Sequence, residues 1–230
     1  MARCWTLPCC AMKRLFDVAM SIVGLILFSP LFVLLAVGIR LSSPGPIIYS
    51  QYRVGLNGQL FAIYKFRTMV QTADKIGSSV TIAQDKRITR FGRILRQLKL
   101  DELPQLWNVI RGDMSLVGPR PDVPEVVATY SSEMLEILRV RPGMTSIASL
   151  HLRNEEELLA FFPDPEEAYL RIMVPAKVEM AMEHVRRDSF GFDFLILLQT
   201  IWAITLGRWW ALPEHPTIRR IRQACISQEE

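Results

Sequence analysis

The sequence predicts an α+β protein that is mostly helical, with an N-terminal apolar helix interrupted at Ser29-Pro30, a small β-hairpin, and a helical remainder. Three observations carry this. Leu15 to Ile39 is an apolar run of 25 residues whose one charge is Asp17. Asn57-Gly58 sits between two β-rich runs, Ile47 to Arg53 and Leu60 to Met69, which is a strong short-range hairpin signal. Lys86 to Leu98 and Leu103 to Ile110 repeat apolar residues at i, i+3, i+4 and i+7, the spacing of one helix face.

The apolar run comes first. A straight helix of that length spans ~37 Å, enough to cross a bilayer. It leads into Arg40 rather than into a small-residue cleavage site, so it does not read as a signal peptide. Pro30 removes a donor near its middle and predicts a kink or break, with the Ser29 hydroxyl placed to satisfy a freed backbone group. Lys13 and Arg14 precede the run and Arg40 follows it, so neither flank has the look of an outside flank. On the residues alone, a re-entrant hairpin and a spanning helix both stand. Arg14 and Asp17, spaced i, i+3, are expected to pair, with Asp17 an interfacial charge.

Ser42 to Pro46 reads as a linker. In the second hairpin run Tyr64, Phe66 and Thr68 share one face and Lys65 and Arg67 the other. Gln71 to Gln84 is polar and reads as a mobile loop. Lys86 to Lys99 carries six basic residues and no acidic one. Pro104 is tolerated in a first helical turn, which puts Asp101 and Glu102 at a helix N-terminus, and Gly112 is the expected C-cap. Ser115 to Val117 reads as a short strand; Gly118-Pro119-Arg120-Pro121 and Arg141-Pro142-Gly143 read as rigid turns. Asn154 is placed to cap a helix opening on three glutamates, which Pro163 to Pro165 breaks. Glu166 to Val185 reads as helical with a break at Pro175. Phe192 to Leu206 is apolar on nearly every face and suits either a buried or an interfacial helix. Trp202, Trp209 and Trp210, with Arg208, Arg219, Arg220 and Arg222, suit a headgroup boundary. The division expected is a tail at 1–12, a membrane segment at 13–41, a main domain at 42–190, and a C-terminal interfacial or packing helix and tail at 191–230.

Composition agrees. Half of the 230 residues are hydrophobic and mean hydropathy is +0.20, yet 22% are charged, as for a soluble part with a local membrane segment. A net charge of +4 suits anionic partners. The four cysteines lie near the two ends and form neither a disulfide framework nor a zinc spacing. Basic residues are too few for nucleic acid to be the partner.

Asp101 and Glu102 are the candidate chemical centre. As an isolated pair they read as a helix cap, favourable against the dipole. The basic helix before them, the arginines beside prolines after them (Arg120, Arg141), and the membrane segment point instead to a metal or nucleophile acting on a phosphate held by guanidinium forks. A helix N-terminus is expected to depress the Asp101 pKa and keep it anionic. A non-catalytic module binding anionic lipid through the basic helix is the alternative.

Tyr64-Lys65-Phe66-Arg67-Thr68-Met69, Arg90-Phe91-Gly92-Arg93, the run from Leu100 to Val109, the run from Gly112 to Pro121 and Arg141-Pro142-Gly143 together resemble the bacterial sugar transferases. These are the monotopic phosphoglycosyl transferases of polyprenyl-phosphate pathways. The resemblance extends from about Lys13 to Leu206, with no large extra domain. It implies transfer of a sugar 1-phosphate from a UDP-sugar to a polyprenyl phosphate at the cytoplasmic face of the bacterial inner membrane, releasing UMP. It implies a covalent intermediate on Asp101, a supporting role for Glu102, and Mg2+ at the dyad with Asp101 as ligand. Arg96 and Arg120 match phosphate-holding positions; Lys65, Arg67 and Arg141 match motif positions and are taken as substrate- or phosphate-binding. It also implies a re-entrant helix broken at Ser29-Pro30, contact with membrane lipid, and leaves a homo-oligomer open. Met144 to Ser149 departs from the run that many relatives carry, which bears on the identity of the sugar.

Overall fold

The computed structural model describes residues 7–73, 85–152, 155–160, 162–187, 189–205 and 215–226. Two helices open the chain, α1 (Leu7–Leu27) and α2 (Ser29–Ser42). Residues 7–12, expected as tail, extend α1. The axis bends by 62° between the legs. The cause is local: Pro30 has no N–H to give to the Ile26 carbonyl, and the Ser29 hydroxyl donates to that carbonyl instead, at 2.8 Å. Among the described residues no single helix is long and apolar enough to cross a membrane, though the bent pair passes by length and composition. Ile26, Leu27, Val33, Leu34 and Leu41 stand exposed along both legs. A contiguous apolar surface of this kind is unfavourable in water and suits a bilayer.

The hairpin follows as β1 (Ile48–Val54) and β2 (Leu60–Phe66), antiparallel, turned by Asn57 and Gly58 at positive φ. Phe66 packs with Leu35 and Ile39 of α2 and Leu95 of α3 (Arg90–Gln97), so the second leg of the bent pair is part of a core. Thr89 caps α3 by accepting from the Gly92 N–H. The helix is shorter than the sequence suggests because residues 85–89 run extended or turn beside Thr68.

A 3₁₀ turn (Leu100–Glu102) leads to α4 (Gln105–Arg111), which Gly112 ends at φ 98° as expected. Next is β3 (Ser115–Val117). Its partner, β4 (Gly143–Thr145), pairs in parallel and lies where only a turn was expected. Glycine makes this pairing possible: a Cβ on Gly143 would fall 2.1 Å from the Gly118 nitrogen. Between the two strands, α5 (Pro124–Val127) and a 3₁₀ turn (Met134–Arg139) pack on a later helix through Val126, Tyr130 and Ile137.

The remainder is helical: α6 (Ile147–His151), α7 (Glu155–Leu159), α8 (Pro165–Ala168), α9 (Val174–Arg187), α10 (Phe190–Thr205) and α11 (Pro216–Ile226). Pro175 does not break its helix. A π turn (Tyr169–Met173) widens the chain just ahead of it, where the proline ring would otherwise meet the carbonyl of Arg171. In α10, Ile196 and Ala203 are buried while Leu195, Leu198 and Ile201 are exposed, so the helix has one core face and one outer apolar face. Residues 74–84 of the expected loop over Gln71 to Gln84, the Asn154 cap, and Arg208, Trp209 and Trp210 lie outside the described residues. The main core joins Phe61 and Ile63, Leu106 and Val109, Leu116, Met180 and Ile196, so hairpin, dyad helix, β3 and C-terminal helices share one interior.

Candidate active site

Asp101 and Glu102 sit on the 3₁₀ turn before α4, not at its N-cap; that position is held by Pro104, and no side chain caps the helix. Lys99 enters the turn at φ 56°, a left-handed conformation that costs a non-glycine residue roughly 1 kcal/mol and reverses the chain after α3. The reversal buries Asp101 to 8% exposure.

Glu102 is clamped. Its Oε1 accepts from Lys65 Nζ at 3.0 Å and from Arg120 Nη2 at 2.6 Å, and Arg120 Nη1 lies 3.4 Å from Oε2. Burial by itself would raise this carboxyl, but Arg120 and Lys65 hold it well below the ordinary carboxylate range. The same contact raises the Arg120 guanidinium. Lys65 is lowered, chiefly by burial, with Glu102 opposing and Arg120 adding to the effect.

Asp101 differs. Its Oδ1 is buried without a hydrogen-bond partner among the described residues. Burial first, and then the charge of Glu102, push its carboxyl up, against the pull of Lys65, Lys99 and Arg96. The sequence expectation was the reverse, a carboxyl lowered by a helix N-terminus. It fails because the dyad lies a turn ahead of the helix and is enclosed. Two adjacent carboxyls therefore have opposite environments: one satisfied and locked ionised, the other more basic and with an oxygen that meets no donor among the described residues.

Asn108 aligns these parts. Fully buried in α4, its amide accepts from the Tyr64 N–H at 3.1 Å and donates to the Ala62 carbonyl at 2.7 Å. It thus completes the outer edge of β2 and sets Lys65 opposite Glu102. Nothing in the sequence pattern marks it apart from its neighbours on the α4 stripe.

The expected basic residues divide. Lys65 and Arg120 converge on the dyad. Arg96 donates through Nε to Thr68 Oγ1 at 3.0 Å, and its charge reaches Asp101. Arg67 is buried and donates to the Ser43 and Pro44 carbonyls, each at 2.7 Å, fastening the linker after α2. Arg141 is exposed and donates to the Gly112 carbonyl at 3.2 Å. Ser29 and Pro30 are at the bend.

Asp17 is a correction. It is 4% exposed and accepts from Ser115 Oγ at 2.7 Å, rather than lying at an interface paired with Arg14. Arg14 instead donates to the Ile110 and Met114 carbonyls at the end of α4, and Lys13 reaches Asp193 of α10 and the Val117 carbonyl. A polar collar on α1 thus grips the dyad helix from behind and the strand that leads into Arg120. The sequence signal was present, since a lone acid in an apolar run needs a partner, but the partner lies 98 residues away.

A metal at the dyad was implied by resemblance. Among the described residues no group of three or more His, Cys, Asp or Glu is placed to hold an ion. Two adjacent carboxyls, one with an unpartnered buried oxygen, fit Mg2+, which takes one or two carboxylates and completes its shell with water and substrate phosphate.

The sequence model of the bacterial sugar transferase family matches residues 9–207. The chain is 36% identical over 211 residues to the exopolysaccharide production protein ExoY of Rhizobium meliloti (strain 1021), covering 85% of this chain and 86% of that protein. It is 39% identical over 195 residues to the UDP-glucose:undecaprenyl-phosphate glucose-1-phosphate transferase of Caulobacter vibrioides, covering 82% and 68%. It is 35% identical over 198 residues to the UDP-N-acetylgalactosamine-undecaprenyl-phosphate N-acetylgalactosaminephosphotransferase of Aeromonas hydrophila, where it spans 85% of this chain but only 44% of that protein. A match over most of its length places this chain in the bacterial sugar transferase family, as a phosphoglycosyl transferase.

Proposed function

We propose that this enzyme moves a sugar 1-phosphate from a UDP-sugar to a polyprenyl phosphate on the cytoplasmic face of a bacterial membrane, with Asp101 as nucleophile. The observation that carries the reading is the asymmetry of the dyad. Glu102 is locked by Lys65 and Arg120, whereas Asp101 has a raised carboxyl and an oxygen without a partner among the described residues. A more basic carboxylate is the better nucleophile once ionised.

The step balances as follows. An Asp101 oxygen bonds to the β-phosphorus of the UDP-sugar, the bond from that phosphorus to the bridging oxygen breaks, and UMP leaves. The lipid phosphate oxygen then attacks the same phosphorus and Asp101 is regenerated. Lys65 and Arg120, already converged on Glu102, are placed to offset charge on the phosphoryl oxygens. Mg2+, held through Asp101, would neutralise diphosphate charge when bound. The bent α1–α2 pair is read as a re-entrant hairpin, which keeps both basic flanks on one side. The outer apolar face of α10 is read as interfacial. A module that only binds anionic lipid leaves the clamped, buried dyad without a purpose.

The test is UMP release by purified chain from UDP-glucose, UDP-N-acetylgalactosamine and other UDP-sugars, with undecaprenyl phosphate and Mg2+. Asp101→Asn should abolish release; full turnover by that variant would remove Asp101 as nucleophile.

A further inference from the structure

Asp122 lies two residues beyond Arg120. Two phenols approach its carboxylate: Tyr130 Oη donates to Oδ2 at 2.7 Å, and Tyr169 Oη lies 3.4 Å from Oδ1. Tyr130 follows α5 and is 9% exposed. Tyr169 opens the π turn, with Lys177 Nζ of α9 4.5 Å from its ring centroid and itself paired with Glu155 at 2.5 Å. The main chain around Arg120 is fastened separately. The Gly143 N–H donates to the Pro119 carbonyl at 2.8 Å, Arg53 to the Pro121 carbonyl at 3.3 Å, and the Val54 N–H to the Asp122 carbonyl at 3.0 Å.

We propose that Asp122, tethered by Tyr130 and Tyr169, is a positioning residue that sets the aim of the Arg120 guanidinium. Pro119 and Pro121 fix φ on either side of Arg120, so the swing left to that side chain is set by how the outgoing end of the segment is held. A guanidinium fork is directional, and its two bonds to Glu102 are unequal at 2.6 and 3.4 Å. A small rotation of the turn is enough to lose one of them. The tether does not titrate in the working range, because burial and then the charge of Asp122 push both phenols up and they stay donors. It is also dispensable for the fold: two main-chain bonds and one from the Arg53 side chain already hold the segment, and the apolar packing of Val126, Ile137, Val174 and Val178 supports the segments that carry the phenols. The catalytic half of this inference rests on the proposed function; the geometric half does not.

Two measurements on the full chain in detergent test it. In the first, NMR follows the guanidinium N–H signals of Arg120, assigned by their absence in Arg120→Lys. Loosening the fork that Arg120 makes to Glu102 should shift these signals toward those of a solvated guanidinium in Asp122→Ala. In the second, UMP release from UDP-glucose or UDP-N-acetylgalactosamine is followed with undecaprenyl phosphate. Asp122→Ala should lower kcat about tenfold with KM within about twofold, the pattern of misplaced rather than missing contacts. In an Arg120→Lys background the same substitution should change kcat less than about twofold, because it acts through Arg120. Tyr130→Phe, which removes one oxygen and keeps the ring, should cost about threefold and covers the case in which Asp122→Ala misfolds. Unmoved Arg120 guanidinium signals, or equal losses in both Arg120 backgrounds, overturn the positioning role. A wild-type chain that releases no UMP overturns the functional reading instead, and the Arg120 signals still decide this one.

Discussion

Asp101→Asn should make the protein more stable while abolishing its activity. The wild-type carboxyl is 8% exposed, has one oxygen without a donor among the described residues, and is pushed up by burial and by Glu102. Well below the ordinary carboxylate range both folded and unfolded chains carry the proton, and the group is neutral for stability. As pH rises, the unfolded chain ionises first and the folded state falls behind. Above the raised folded value the deficit is complete and constant. The asparagine amide imitates the protonated acid and has no such deficit. Leaving a buried acceptor unpaired costs about 1–3 kcal/mol, and somewhat more if charged, so the variant should gain on that order at neutral pH. For a chain of this size each kcal/mol moves Tm by about 2–4 °C. The assay is thermal unfolding in detergent at pH 7 and at pH 4, paired with UMP release. The gain should shrink toward acid pH. A variant less stable than wild type at pH 7, or equally stabilised at both values, refutes the account of the dyad.

Three further outcomes are expected. Glu102→Gln should slow turnover strongly and shift the pH–rate profile to lower pH, because Glu102 raises both Asp101 and Lys65 and both fall when its charge is removed. Arg120→Ala should lower kcat by about 10²–10³, the usual loss for one preorganised donor, with EDTA abolishing and Mg2+ restoring wild-type release. Pro30→Ala restores the N–H that Ile26 lacks and should straighten the 62° bend; single cysteines near residues 12 and 42, labelled from the same side in the parent, should then label from opposite sides in part of the population.

Local chemistry was the legible part of this sequence. The break at Pro30 with Ser29 as its satisfier, the Asn57-Gly58 hairpin, the existence of α3 and α4 and the Gly112 cap all rest on residues within a few positions of one another. The buried faces of the two helices differ from the apolar spacing: Ile94, Leu98 and Trp107 stand exposed, while Gly92, Gln105 and Asn108 are buried. Elements made by distant approach were not legible. The strand at Ser115 to Val117 was expected, but its partner β4 was not, because their pairing depends on the close approach of Gly118 and Gly143. Pro175 was misread because a π turn upstream absorbs it, and no residue code announces a π turn. At the site, the dyad and its two closest cations were named in advance. The direction of the Asp101 shift was not, since it depends on an enclosure that spacing does not report. Arg67 and Arg141 show the converse: motif arginines whose donors are directed to backbone carbonyls.

The collar on α1 has a consequence for biosynthesis. Lys13, Arg14 and Asp17 leave the ribosome first, yet their partners are Ile110 to Val117 and, 180 residues after Lys13, Asp193. Until those arrive, the three charged side chains of the bent helix pair lack these partners. The domain, for its part, closes only when α10 delivers the last of them. Assembly is therefore ordered by contacts of great sequence separation and is expected to be slow, with the hairpin acting as a template on which later segments dock. Expressed without residues 7–42, the remaining chain would lack the surface that β3 rests on.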